Sequence, residues 1–393
     1  MQAESAVGPA EAAHSALLRA HVALEISAAG GWLSFERYMD LALYAPGLGY
    51  YSAGARKLGR GGDFTTAPEL SRLFGACVAQ QCAEVLRRLP GGSILEVGAG
   101  TGRLAVDVLS GLDALGVSLK HYFILEVSAD LRERQRALIE ETLPGLVRHV
   151  VWLDALPGEA FDGVILANEV LDALPVVRFR WRGTEAVDEL GVVLARDSSG
   201  DFAWEARPAG ADLSAAVAEL RAAAGGWDEG YVSEYCPLLL PWTGSVTAAL
   251  RRGAVLWFDY GLPRAQYYLG ERHEGTLLCH FRHRAYDDPF RLVGLQDITA
   301  WVDFTRAAEA CDAAGFDLAG FTTQAFFLAG LGIDWEMRRL AGDDAAEFAR
   351  LANQAKQLML PGEMGERFKA MAWTRRLDAE LTGFALQDLR HTL

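Results

Sequence analysis

From about residue 92 the chain alternates short continuous apolar runs with amphipathic stretches of helical period. SILEVG (93–98), YFILEV (122–127), HVVWLD (149–154) and GVILAN (163–168) each close at a glycine or polar position, and GAVLWFDYG (253–261) follows after a long gap. Apolar runs that do not alternate are buried on both faces, which predicts strands of a parallel sheet covered by helices. Between the fourth and fifth runs lie VVRFRW, GVVLA and DFAWEA. They read as antiparallel strands of an insertion spanning 176–250 that also carries two helices.

Residues 14–29 and the aromatic-rich GGWLSFERYMDLALYAPGLGYY predict two helices, the second ending at a Pro/Gly turn. KLGRGGDFTTAPELSRLFG reads as a glycine-rich loop entering another helix, with Pro68 in its first turn. After Gly261 a polar stretch runs to about 297. ITAWVDFTRAAEACDAAG then predicts a helix, and GFDLAGFTTQ and FKAMAWTR complete the sheet around a helical excursion. The division expected is an N-terminal helical segment with a lid loop (1–70), a first core part (71–175), an inserted α+β subdomain (176–250) and a second core part (251–393).

Composition narrows the partners. The 393 residues are 51% hydrophobic, enough for a large core, and the net charge of -15 opposes general binding to nucleic acid. No window approaches the ~20 apolar residues of a membrane span. The five cysteines are scattered without a CxxC pair, so neither a disulfide framework nor a zinc ribbon is indicated. Cys279, His280, His283 and Asp287 do not have the spacing of a helical metal site, and no metal is expected. With no basic, apolar leader at the N-terminus, the expected address is the cytoplasm.

SILEVGAGTGRL raises the chemistry. Gly98, Gly100 and Gly102 are spaced G-x-G-x-G, whereas a nicotinamide fingerprint needs its third glycine where Arg103 stands. Glu96, just before the turn, would repel a pyrophosphate but suits the sulfonium and ammonium of S-adenosylmethionine. Glu126 and Asp154 end the next two runs, positions suited to ribose hydroxyls and an adenine edge. Asn168, Glu169 and Asp172 in NEVLDALP follow the fourth run, and Asp259 and Tyr260 end the fifth.

These motifs resemble the MidA-like protein arginine methyltransferase family, whose mitochondrial members assist respiratory complex I assembly. The likeness covers nearly the whole chain, through FERYMDLALYAPGLGYY, GDFTTAPELSRLFG, ILEVGAGTGRL, LEVSADLRERQ, ILANEVLDALPV, WFDYG, TLLCHFRHRAYDDPF, LQDITAWVDF and GEMGERFKAMAW. Where the family often has proline and arginine in the glycine turn, this chain has Ala99 and Thr101. The resemblance implies an α/β fold of the class I methyltransferase type, a Rossmann-like doubly wound sheet with an N-terminal helical segment and an inserted substrate subdomain. It implies S-adenosyl-L-methionine as cofactor and a protein substrate. The donor would be held by Gly62, Asp63, Phe64 and Thr65 of the lid loop, with Glu96, Gly98, Gly100, Gly102, Glu126, Asp154 and Asn168.

An arginine acceptor has a pKa of roughly 12.5–13.8 and stays protonated at neutral pH. Carboxylates must therefore hold it and bias its charge so that one nitrogen can attack. Glu169, Asp172 and Asp259 are the expected catalytic residues; Glu234 could close over the same mouth, and His283 could position substrate. Two other functions fit the same turn: methylation of a small molecule, and donor binding by an assembly factor without turnover.

Overall fold

The computed structural model describes residues 7–53, 65–196 and 200–393. Among these, eight strands form the main sheet. Its order is Asp317–Thr323, Phe368–Arg375, Leu250–Leu262, Phe161–Asn168, Ser93–Val97, Tyr122–Leu125 and Val150–Leu153, with Val302–Asp303 beside the end of Leu250–Leu262. The five expected runs are parallel to one another. Phe368–Arg375 runs antiparallel to both of its neighbours.

Burial explains the apolar runs. Ser93–Val97 is buried along its whole length, with Ile94 packing into the core on one face and Leu95 into the core on the other. Val150–Leu153, at the edge, is buried only at Val150. Successive connections leave Ser93–Val97 in opposite directions, first toward Tyr122–Leu125 and later back to Phe161–Asn168. Such a switch in strand order opens a crevice at the carboxyl ends of the strands.

The insertion forms a second sheet: Val177–Trp181, Val187–Leu194, Phe202–Pro208 and Val232–Tyr235, all antiparallel. Its edge is supplied from far away, because Leu33–Ser34 pairs with Val192 and Gly191. The N-terminal segment and the insertion thus share one sheet. Ser34 then caps the helix Phe35–Tyr44 by accepting from the Arg37 amide, an interaction worth about 1 kcal/mol.

Two expectations are corrected here. The polar stretch before 297 contains two strands, Leu278–Phe281 and Arg284–Tyr286, which form a three-stranded sheet with Asp297–Thr299. The helix expected from Ile298 begins only at Phe304, where Asp303 accepts from the Arg306 amide. Before that cap the backbone is committed to strand pairing, at Asp297–Thr299 and Val302–Asp303.

Candidate active site

The crevice holds a cavity of about 440 Å³ floored by the glycine turn, within the usual range for small-molecule sites. Gly98 and Gly100 line it, and Gly98, Gly100 and Gly102 have φ of 67°, 53° and 85°, the left-handed region that glycine enters freely. Gly102 does not line the cavity. It lies against Gln135, whose backbone and side chain would meet a Cβ at 3.1–3.3 Å. Gln135 in turn donates to the Gly100 carbonyl at 2.8 Å and to Glu126 at 3.2 Å.

Glu96, Glu126 and Asn168 face the same cavity from three strand ends. Glu126 accepts from the Ser128 amide at 3.0 Å, and burial still raises its pKa. Burial also pushes Glu96 up to about 7, against the lowering effect of the hydrogen bond from Tyr122 at 2.7 Å. The Asn168 amide nitrogen donates to Glu169 at 3.2 Å, whereas its oxygen is buried without a partner among the described residues. A ligand carrying donors, such as an ammonium or ribose hydroxyls, complements this set.

Thr65 lines a second cavity of about 600 Å³ rather than the first. This one is walled by Glu169, Asp172, Asp297 and Tyr260, and Glu169 and Tyr51 line both cavities. Glu169 sits at φ +52°, a conformation that costs a non-glycine residue about 1–3 kcal/mol and is characteristic of functional sites. Its amide nonetheless continues the sheet, donating to the Phe258 carbonyl at 2.8 Å. Burial and the neighbouring Asp172 raise its pKa to about 8. Asp172 is raised by burial to about 6 while accepting from the Tyr260 hydroxyl, and its other oxygen is buried without a partner among the described residues.

Asp259 lines neither cavity. It accepts from the amides of Leu171 at 2.9 Å, Asp172 at 3.3 Å and Tyr260 at 2.9 Å, and so shapes the turn that presents Glu169 and Asp172. Its carboxylate faces this turn and neither cavity.

Other expected residues lie elsewhere. Asp154 follows the edge strand, its side chain 90% exposed and paired with Arg132 at 2.5 Å, and the cavity is lined at that side by Val127, Leu131 and Leu156. Glu234 is not at the mouth but buried, accepting from the Thr276 amide at 2.8 Å beside Arg178. His283 is exposed at the turn after Phe281, whereas His280 lines the second cavity. Gly62, Asp63 and Phe64 lie outside the described residues.

Tyr51, His280 and Asp297 were not among the expected site residues. Tyr51 donates to Asp297 at 3.0 Å and stacks on Tyr44 at 5.6 Å, and Tyr44 donates to the Ala173 carbonyl. The signal for Tyr51 and Asp297 lay in the paired tyrosines of GLGYY and the acid before the apolar ITAWV, and that for His280 in a histidine set within the apolar TLLCHF.

Residues 77–322 match the family described as "Putative S-adenosyl-L-methionine-dependent methyltransferase". Mitochondrial protein arginine methyltransferase NDUFAF7 of Danio rerio is 30% identical over 392 residues, covering 89% of this chain and 85% of its own. The Rattus norvegicus protein of that name is 29% identical, covering 93% of this chain and 86% of its own. A crystal structure of a COG1565 superfamily member from Burkholderia thailandensis, bound to S-adenosyl-homocysteine, is 45% identical with a TM-score of 0.93, covering 98% of this chain and 99% of that one. The expected cytoplasmic address is withdrawn, because the curated relatives are mitochondrial by name. Over more than half its length, and with glycine turn, strand-end acids and cavity arranged as described, this chain belongs to the S-adenosyl-L-methionine-dependent methyltransferases.

Proposed function

We propose that the protein transfers a methyl group from S-adenosylmethionine to arginine side chains of a protein substrate. The observation carrying this reading is that Glu169 and Tyr51 line both cavities, the second of them walled by Glu169, Asp172 and Asp297. An alcohol or thiol acceptor has no need of several carboxylates. A guanidinium, always protonated at neutral pH, needs partners that hold it and draw its charge to one side.

When bound, S-adenosylmethionine supplies an electrophilic methyl group. Glu126 is assigned to the ribose hydroxyls, and Glu96 with the Asn168 oxygen to the cationic end of the donor. The backbone at Gly98 and Gly100 allows the ligand close approach. Glu169 and Asp172 hold the acceptor guanidinium, Asp259 fixes the turn that presents them, and Tyr51 lines both cavities. The enzyme's contribution is alignment of the attacking nitrogen and exclusion of water.

The test uses methyl-labelled donor and protein extract from cells lacking this gene. Acid hydrolysis and amino-acid analysis should recover the label in N-methylarginines. Label in another amino acid or in a small molecule rejects the arginine reading, and no transfer at all supports a binding role without turnover.

The ribose assignment has its own test. Glu126→Ala should weaken S-adenosylhomocysteine by about 1.5–3 kcal/mol, the range for hydrogen bonds to a charged group. The loss should shrink for an analogue without ribose hydroxyls; equal losses for both ligands would reject the assignment.

A further inference from the structure

His280 and Asp297 face each other across the antiparallel pair formed by Leu278–Phe281 and Asp297–Thr299, so their side chains leave the ladder on the same face. Both line the second cavity with Glu169 and Asp172. Building on the arginine reading above, we propose that His280 takes up the proton lost by the acceptor nitrogen, with Asp297 as the positioning carboxylate that balances the imidazolium.

Charge balance requires such a group. The nitrogen lone pair forms the new N–C bond, and the electrons of the breaking S–C bond pass to sulfur, which becomes a neutral sulfide. A guanidinium and a sulfonium thus yield a methylguanidinium, a sulfide and one proton. That proton must be accepted inside the cavity. Glu169 and Asp172 are the wrong place for it: the bound guanidinium draws both carboxyls into the ionised form, whatever burial does to them in the empty site, and a carboxylate that takes the proton surrenders the charge that holds the cation. An imidazole on the wall carries no such duty.

Burial lowers the pKa of His280, which keeps the ring neutral and able to accept at neutral pH. Besides Glu169 and Asp172, the charged residues lining the cavity with His280 are Asp297, Glu366, Arg367 and Lys369. The Lys369 amine is committed to the carbonyls of Glu366 and Arg367. Tyr51, donating to both Asp297 oxygens at 3.0 Å, fixes the carboxylate opposite the histidine.

The experiment measures single-turnover methyl transfer into the same protein extract, with N-methylarginine as the product counted. His280→Ala should slow transfer roughly 100-fold or more, the usual range for loss of a general base, while S-adenosylhomocysteine affinity stays unchanged. Added imidazole should restore part of the rate, increasingly so along a series of more basic methylimidazoles. His280→Gln, which keeps hydrogen-bonding capacity without basicity, should be as slow. Asp297→Asn should move the acidic limb of the rate profile to lower pH, since the imidazolium loses its counter-charge. A His280→Ala protein as fast as the parent, or a slow one that imidazole does not recover, overturns the proposal. A parent protein that makes no N-methylarginine rejects the arginine reading itself, a result distinct from either.

Discussion

Glu169→Gln should lose methyl transfer by roughly 30-fold to several-thousand-fold and yet melt at a higher temperature than the parent at pH 9. The bound guanidinium ionises Glu169, so the amide removes one charge of a desolvated pair formed only with substrate in place, which costs about 2–5 kcal/mol. The amide keeps the shape of the side chain, so S-adenosylhomocysteine affinity should hardly change. The gain in melting temperature comes from linkage. The Glu169 carboxyl rises from 4.5 to about 8 in the folded chain, so between those values the folded state binds more protons than the unfolded one. Stability therefore falls as pH rises through that window, and the amide escapes the fall. At pH 4.5 parent and variant should melt alike, and they should diverge toward pH 9. Turnover, donor affinity and melting measured on one preparation decide the matter. Full turnover removes Glu169 from the mechanism; a lower melting point at every pH with normal turnover makes it a structural residue.

Gly100→Val should weaken S-adenosylhomocysteine by ~100-fold or more, about 3 kcal/mol. At φ 53° a β-branched residue is strained, and its methyl groups would project from the turn that floors the donor cavity. The Gly100 carbonyl also accepts from Gln135, so a shifted turn would disturb the residue that steadies Glu126. Calorimetry should show the lost affinity while circular dichroism retains the folded spectrum. Undiminished binding would place the donor elsewhere.

What the sequence reveals depends on whether a residue's environment is local. Ile94, Leu95, Val164 and Ile165 are legible as strand because a parallel sheet buries every position, whichever way it points. Glu96, Glu126 and Asn168 are legible because strand ends at a switch point meet one crevice. Asp154 obeys the same rule and fails it: its strand lies at the sheet edge, where the carboxylate finds solvent and Arg132. Strand Leu278–Phe281 is hidden because it is only four residues long: Cys279 and Phe281 turn to the core, and Leu278 and His280 line the second cavity, too short a run for its alternation to stand out. Tyr51 and Asp297 meet across 246 residues of chain. Neither element predicts the other, and only the folded chain brings them to one wall. Glu234 is misread for the opposite reason, since a carboxylate so deeply buried is unusual without its partners in view.

The place of Phe368–Arg375 bears on the order in which the protein can be made. This strand is among the last elements in the chain, yet it stands inside the sheet, between Leu250–Leu262 and Asp317–Thr323. Translation at about 5–20 residues per second separates Leu262 from Phe368 by roughly 5–20 s. During that interval Leu250–Leu262 has an open backbone edge, and Asp317–Thr323 has emerged with no neighbour to dock on. Such an edge is a template for foreign strands. That seam therefore stays open until the last strand closes it, and chains cut short before residue 368 should be prone to aggregate.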